Sequence, residues 1–192
     1  VVAASPYGIA WGQRGDLGAT RWTSRSDSLS INERFSNAIL ADPTSPGRWL
    51  VGTEAGVLAY GEDGNGWERT SLTGTPCRAL LRADDRFWAA TDDRGVWHSA
   101  DGLSWSRAGS GLDDGAVFAL APAGPDRLLA GTLEGVCVGD GRSTWRRLGP
   151  RILVSVLASH PREHDLWLAG ACPGGLWRSE DAGDSWRQRG SF

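Results

Sequence analysis

The chain has 192 residues, a net charge of −3, and 20 basic against 23 acidic side chains, so it lacks the basic excess that is normal for a nucleic-acid-binding protein. No apolar run approaches the ~18 residues that a membrane-spanning helix needs, so we expect no nucleic-acid partner and no membrane span. The 27 glycines and 11 tryptophans favour a fold with many tight turns and a limited set of large packing residues.

Short apolar runs, bounded by Gly, Pro and Asp, follow one another along the chain. Runs of this length that are rich in Val, Leu and Trp are typical of strands rather than helices. The opening run ends in small residues, and four later runs share its form: VVAAS (1–5), WLVGT (49–53), FWAAT (87–91), LLAGT (128–132) and WLAGA (167–171). Each is followed by a Gly-led run: GIAWG (8–12), GVLAY (56–60), GVWHS (95–99), GVCVG (135–139) and GLWRS (175–179). The last four pairs are also preceded by a further run: FSNAILAD (35–42), CRALLRAD (77–84), AVFALAPA (116–123) and ILVSVLAS (152–159).

A tryptophan follows each Gly-led run and marks a repeat of about forty residues, the period of several β-repeat folds. The tryptophans are Trp22, Trp67, Trp105, Trp145 and Trp186, so the steps are 45, 38, 40 and 41 residues. Four short strands repeated at this period are typical of the blades of a β-propeller. We therefore predict an all-β fold, a single β-propeller domain over 1–192 with about five four-stranded blades. Their approximate bounds are 1–23, 35–72, 77–108, 116–148 and 152–190.

The first predicted blade is incomplete. Its opening run, Val1–Ser5, aligns with the second strand of the other blades, so the inner strand is missing. An unpaired strand edge exposes a row of backbone donors and acceptors. Either the connection 23–34 folds back to cover this edge, or a partner chain donates a strand to it. We prefer the donated strand, because residues 23–34 are polar and lack the apolar alternation of an inner strand.

An acidic turn that contains glycine precedes each of the five tryptophans. Ser179, Asp181, Gly183 and Trp186 form the pattern Ser-x-Asp-x-Gly-x-x-Trp in full. The near copies are Ser99, Asp101 and Trp105; Asp63 and Trp67; Asp140 and Trp145; and, most altered, Asp16 and Trp22. In such a turn the aspartate can accept backbone hydrogen bonds, the glycine can take a positive φ, and the tryptophan can cover the turn. Residues that recur in every blade are expected to be structural, not part of one active centre.

This pattern resembles the Asp-box of the BNR-repeat families, which include sialidases, sortilin-type receptors, xyloglucan-cleaving glycosidases and photosystem II assembly factors. The resemblance covers essentially the whole chain and implies a β-propeller. It implies no single activity, because these families share the box and not a function. It also implies an extracytoplasmic location, which would be periplasmic, lumenal or secreted.

The first functional hypothesis is a non-catalytic binding or assembly scaffold, a subunit or accessory factor of a protein complex, as in the photosystem assembly factors that the repeats resemble. A propeller presents one face made of the connections between second and third strands and of the loops that enter the inner strands. Varied side chains on that face can hold a protein, a peptide or a glycan. The candidates are Tyr7, Glu54, Asp92, Asp93, Arg94 and Glu134 on the connections, and Asp113, Asp114 and Arg151 on the loops. A structural subunit whose partners cover its faces is a further alternative.

The second hypothesis is a glycan-active enzyme, sialidase-like or glycosidase-like, or a glycan-binding lectin. The resemblance to sialidases requires a tyrosine nucleophile beside a glutamate, but Tyr7 has no acidic neighbour in sequence and Tyr60 falls within a predicted third strand. A glycosidase without tyrosine needs only two carboxylates that face each other across the site. The available carboxylates are Glu54, Asp92, Asp93 and Glu134, although acidic turns are also typical of solvated loops. We therefore predict no catalytic residue.

We also predict no cofactor and no metal site. The three cysteines, Cys77, Cys137 and Cys172, lack C-x-x-C spacing and fit buried free thiols. His160 and His164 are four residues apart, but they lie on a predicted loop beside a proline and not on a helix face. A solvated turn is therefore favoured there over a zinc site.

Overall fold

The structure is a computed structural model that describes residues 2–5, 7–14, 20–61 and 66–190. In these ranges nineteen strands form five antiparallel sheets, and one short helix, α1 (Ile31–Arg34), lies in the chain between the first and the second sheet. The strands of each sheet neighbour one another in chain order, so every sheet is a meander. Within the described ranges, no helix has the length and apolar character that crossing a membrane requires.

The first sheet has three strands and the others have four. The first contains β1 (Val2–Ser5), β2 (Gly8–Arg14) and β3 (Thr20–Ser24). The second contains β4 (Ser36–Ala41), β5 (Arg48–Thr53), β6 (Gly56–Gly61) and β7 (Gly66–Thr73). The third contains β8 (Cys77–Ala83), β9 (Arg86–Thr91), β10 (Val96–Ser99) and β11 (Ser106–Arg107). The fourth contains β12 (Val117–Pro122), β13 (Leu128–Thr132), β14 (Gly135–Gly139) and β15 (Arg146–Leu148), and the fifth contains β16 (Val154–Ser159), β17 (Trp167–Ala171), β18 (Gly175–Ser179) and β19 (Arg187–Gln188).

The contacts between sheets identify the strand that the first sheet lacks. The second strand of each four-stranded sheet contacts the inner strand of the next sheet, as β5 contacts β8, β9 contacts β12 and β13 contacts β16. In the first sheet, β1 makes the equivalent contact with β4. Because β1 occupies the place of a second strand, the absent strand is the inner one. The predictions of an all-β fold and of an incomplete first blade are confirmed.

The core is divided among the boundaries between consecutive sheets. Four hydrophobic clusters are present in the described residues, one at each boundary. Between the second and third sheets, for example, Leu50 and Val57 pack against Phe87 and Ala89, and all four are at most 1% exposed. Both faces of a middle sheet are therefore covered. This explains why the second strands are continuous apolar runs that lack polar alternation.

The connection between the first and second sheets packs against both of them. Leu29 is buried in the cluster between these sheets, and the hydroxyl of Ser26 accepts a hydrogen bond from the backbone N–H of Ile9 in β2 at 2.9 Å. Glu33 of α1 pairs with Arg69 of β7 at 2.6 Å, and this hydrogen bond lowers the pKa of Glu33 to about 2. The connection thus lies against β2 and β7. The alternative that it folds back onto the free edge of β1 is therefore wrong, and in the described residues β1 pairs with β2 alone.

Candidate binding face

Each inner strand carries a β-bulge at its second residue. The pairing between inner and second strands skips one residue in each four-stranded sheet, and the skipped residues are Asn37, Arg78, Phe118 and Ser155. A bulge leaves this residue out of the ladder and redirects its side chain, which is why bulges are common beside functional sites. The four sheets therefore present one redirected side chain each, at the same structural position.

The connections between second and third strands lie at the same end of the sheets as the bulges. Their first residues are Glu54, Asp92, Leu133 and Cys172. The backbone N–H of Asp92 donates to the carbonyl of Pro76, just before β8, at 3.1 Å, and the N–H groups of Glu54 and Cys172 make equivalent bonds. We call these four residues and the four bulge residues the bulge end.

A charged network joins the second and third sheets at the bulge end. Arg78 donates from Nη1 to Oε1 of Glu54 at 2.7 Å and from Nη2 to Oδ2 of Asp92. Asn37 donates from Nδ2 to the same Glu54 oxygen at 3.0 Å. The hydrogen bond to Asp92 raises the pKa of Arg78, so the guanidinium stays charged between the two carboxylates. Two of the predicted residues, Glu54 and Asp92, are thus brought together by a third that was not predicted.

A cleft of about 440 Å³ lies next along this end, between the third and fourth sheets, and its lining includes Asp114, Leu133 and Glu134. One carboxylate oxygen of Glu134 lies 3.9 Å from Nη1 of Arg147 and 4.0 Å from Nη2 of Arg151. Leu133 is 56% exposed. The cleft therefore combines an exposed apolar side chain with a loose cluster of opposite charges.

The remaining predicted residues of this face make separate contacts. Asp93 accepts a hydrogen bond from the hydroxyl of Thr75, and Arg94 donates to the carbonyl of Thr73 at 3.3 Å. Asp113 lies 3.5 Å from the guanidinium of Arg107, and Tyr7 is 95% exposed. Their contacts in the described part of the chain join none of Asp93, Arg94, Asp113 or Tyr7 to the charged network or to the cleft.

The sequence analysis missed the bulge residues and misjudged one cysteine. Arg78 and Phe118 stand within runs that were interpreted as regular strands, where alternation places every second residue on one face. The signal was the shift of register between the inner and second runs, which an alignment of the repeats would reveal. Cys172 is exposed, whereas Cys77 and Cys137 are buried, so the prediction of three buried thiols is wrong for Cys172. Its position at the start of a connection explains this exposure.

The acidic turns lie at the opposite end of the sheets, which we call the box end. Asp101 accepts the backbone N–H groups of Leu103 and Ser104, both at 2.8 Å, and these bonds lower its pKa to about 2. Asp140 binds its turn in the same way, and its pKa is also lowered to about 2. Asp181 accepts from the hydroxyl and the N–H of Ser185, which lowers its pKa.

Serine hydroxyls complete two of these turns at the box end. Ser99 accepts a hydrogen bond from the N–H of Gly102, and Ser179 accepts one from the N–H of Gly183, each at 2.8 Å. The tryptophans differ in burial: Trp105 and Trp145 are buried, Trp67 and Trp186 are half-buried, and Trp22 is 49% exposed. Asp16 and Asp63 lie outside the described residues.

The histidine pair also lies at the box end, in the turn between β16 and β17. Nδ1 of His160 accepts the backbone N–H of Glu163 at 3.0 Å, which closes this turn. The carbonyl of His164 accepts the indole N–H of Trp167 at 2.6 Å. Across the described ranges, no three or more His, Cys, Asp and Glu side chains are grouped to hold a metal ion.

The fold has counterparts among solved structures at low sequence identity. The extracellular domain of a putative one-component system from B. thetaiotaomicron matches with a TM-score of 0.76 and 13% identity, over 100% of this chain and 26% of that chain. The GH74 xyloglucanase from Xanthomonas campestris matches with a TM-score of 0.71 and 15% identity, over 97% of this chain and 36% of that one. The β-propeller domain of Cps50 (Swd1) from Myceliophteria thermophila matches with a TM-score of 0.66 and 14% identity, over 91% and 64%.

The chain is a β-propeller. This confirms the predicted architecture, and likeness at such low identity carries no information on activity. The chain spans less than two thirds of the length of each of these three proteins. No protein-family profile and no curated protein matches its sequence.

Proposed function

We propose that the chain is a non-catalytic binding or assembly module that holds a protein partner at its bulge end, and that its turns are Asp-boxes. One observation carries the proposal: equivalent positions at the bulge end hold chemically different residues in each sheet. At the bulge these are Asn, Arg, Phe and Ser, and at the start of the connection they are Glu, Asp, Leu and Cys.

The neighbouring position provides an internal comparison. The second strand ends in a buried threonine in three sheets, Thr53, Thr91 and Thr132, each at most 6% exposed. Each hydroxyl donates to the carbonyl of the glycine that opens the third strand, at 2.8 to 3.0 Å. A residue that every blade needs is thus repeated, whereas the residue directly after it varies. Variation confined to one end of a repeated scaffold favours recognition as the role of that end.

The composition of the bulge end suits a protein partner. Phe35 and Leu133 are 42% and 56% exposed, and they lie beside the network around Arg78 and the charged cleft. Exposed apolar side chains beside arginine and carboxylates are typical of protein interfaces. Catalysis is less well supported, because Glu54 and Asp92 are both engaged by Arg78. A neighbouring cation favours ionised carboxylates, whereas a glycosidase needs one of its pair protonated.

The partner also has a second possible point of contact, the free edge of β1. This strand pairs with β2 alone in the described residues, and the connection that could have covered its other edge lies elsewhere. An extended segment of a partner can add to such an edge by backbone hydrogen bonds. We therefore retain strand donation at residues 1–5 as part of the proposal.

Selection of peptides on the immobilised chain tests the proposal. A random displayed library is panned against the wild-type protein, and each selected peptide is then measured against two variants. Leu133→Asp changes an exposed side chain of the bulge end, and Arg142→Gln changes an arginine of the box end whose side chain is 72% exposed. We expect Leu133→Asp to weaken binding about tenfold or more, which corresponds to about 1.4 kcal/mol or more, and Arg142→Gln to leave binding unchanged.

Two results would overturn the proposal. Peptides that bind both variants as well as the wild type, or that are sensitive only to Arg142→Gln, would place recognition outside the bulge end. Turnover of a β-glucan or sialoside substrate that Glu54→Gln abolishes would show that the end is catalytic. Circular dichroism of each variant ensures that any lost binding is not lost folding.

A further inference from the structure

We infer that copies of this chain associate head to tail, with the fifth sheet of one copy packed against the first sheet of the next. Each sheet has a trailing face, which faces the following sheet, and a leading face, which faces the preceding one. In the described residues, hydrophobic clusters cover the trailing faces of the first four sheets and the leading faces of the last four. The trailing face of the fifth sheet and the leading face of the first belong to none of these clusters.

The trailing face of the fifth sheet is apolar where its counterparts are buried. In the second strand, Leu50, Trp88 and Leu129 are 0 to 3% exposed, whereas the equivalent Leu168 is half-buried. In the third strand, the exposed fraction is 0 to 3% for the equivalent residues of the second, third and fourth sheets, Val57, Val96 and Val136. The fifth-sheet counterpart of these residues, Leu176, is 40% exposed.

The inner strand shows the largest difference. Val156 is 61% exposed, and its counterpart in the fourth sheet, Ala119, is 7% exposed because it packs against the fifth sheet. A contiguous apolar face with three such side chains is unusual on a protein that remains alone in water. The fifth sheet therefore has the surface of an interior blade without the blade that would cover it.

The leading face of the first sheet has the complementary property. At the position of Ala3, the other four sheets carry Val51, Ala89, Ala130 and Ala169, all 0% exposed against the preceding sheet. Ala3 is exposed. The first sheet thus offers a small-residue surface of the kind that receives a trailing face at the other boundaries, as Ala169 receives Leu129.

These two uncovered faces are the two halves of an interface that the chain already forms four times. A second copy therefore supplies the required surface, and its packing continues the repeat across the boundary between molecules. Such an interface uses different patches on the two partners, so it produces rings or open chains and not closed pairs. The inference does not depend on the proposed function, because these faces are distinct from the bulge end.

Two charge substitutions at exposed positions test the inference. Val156→Asp alters the trailing face and Ala3→Asp alters the leading face, while Ile31→Asp, at a side chain that is 77% exposed on α1, is the matched control. Molar mass is measured by light scattering over a dilution series. We expect the wild type and Ile31→Asp to form oligomers that dissociate on dilution, and each of the other two variants to remain monomeric.

Mixing the two monomeric variants gives the decisive result. Each variant retains one intact face, and the two intact faces are complementary, so the mixture should form a 1:1 dimer with twice the 20.5 kDa mass of the chain. Three outcomes would overturn the inference: a monomeric wild type, a mixture that stays monomeric, or continued self-association of Ala3→Asp, which would mean that fifth sheets pack on each other. Unchanged circular dichroism of the variants shows that the chain remains folded.

Discussion

The glycine of the acidic turn in the fourth sheet provides a quantitative test of how the box end packs. Gly141 has a φ of +70°, and a Cβ built on it would lie within the van der Waals radii of Cη2 and Cζ3 of Trp88 in the third sheet. Trp88 is 3% exposed, so its ring has little room to move. The turn therefore requires glycine for two separate reasons, a left-handed backbone and close contact with a neighbouring blade.

We expect Gly141→Ala to lower the free energy of unfolding by about 2–5 kcal/mol. The left-handed conformation contributes about 1–2 kcal/mol for a residue with a Cβ, and overpacking against the indole contributes about 1–3 kcal/mol. Gly74→Ala is the matched control. Gly74 has a φ of +73°, and the nearest atom to a built Cβ is the end of the Arg94 side chain at 3.9 Å. This control should therefore show the backbone contribution alone, about 1–2 kcal/mol.

Urea unfolding followed by circular dichroism measures both variants, and a double-mutant cycle separates the two causes. Trp88→Leu makes room for the new methyl group, so Gly141→Ala should be less damaging in that background by about 0.5–3 kcal/mol. If Gly141→Ala is no worse than Gly74→Ala, or if the two changes at Gly141 and Trp88 are additive, the contact between blades is not what requires glycine.

Three further predictions concern the turns, the thiols and the free edge. Asp101→Ala should lower stability by about 1 kcal/mol, the scale of capping oxygens, with peptide binding unchanged; because the folded pKa is lowered from 3.8 to about 2, this contribution is present above pH 3.8 and lost as the pH falls towards 2, as acid unfolding of wild type and variant will show. Cys172 should react with a thiol reagent in the native protein, whereas Cys77, whose pKa burial raises to about 12, and Cys137 should react only after denaturation, so a titration counting more than one native thiol would contradict the burial. In a proven monomer, hydrogen exchange should find the outward amides of Val2–Ala4 unprotected, and strong protection there would exclude a donated strand.

The blade architecture could be predicted from the sequence because its determinants are local and repeated. A run such as WLVGT is buried on both faces, so it is apolar at consecutive positions whichever blade contains it. The alignment of VVAAS with these runs also predicted the missing inner strand, and the contact of β1 with β4 confirms it. Five copies of one weak pattern gave a stronger prediction than any single copy could.

The charged network could not be predicted, because it depends on register. Arg78 is 24 residues from Glu54 and 14 from Asp92, and the three lie on different elements of two sheets. They meet because a bulge removes Arg78 from the ladder, and strand periodicity does not indicate an extra residue. The burial of Cys77 and the exposure of Cys172 differ for the same kind of reason, since one lies in an inner strand and the other begins a connection.

The two ends of the blades are therefore subject to different constraints. At the box end, Asp101 and Asp140 bind the amides of their own turns, so each blade needs the same residue irrespective of what the molecule binds. At the bulge end, backbone bonds such as that from Asp92 to Pro76 hold the connection, and they leave the side chains free to differ. Stability thus selects the repeated residues that reveal the fold, whereas recognition can act on the residues that vary. In this repeat protein, the departures from the pattern are the better guide to function.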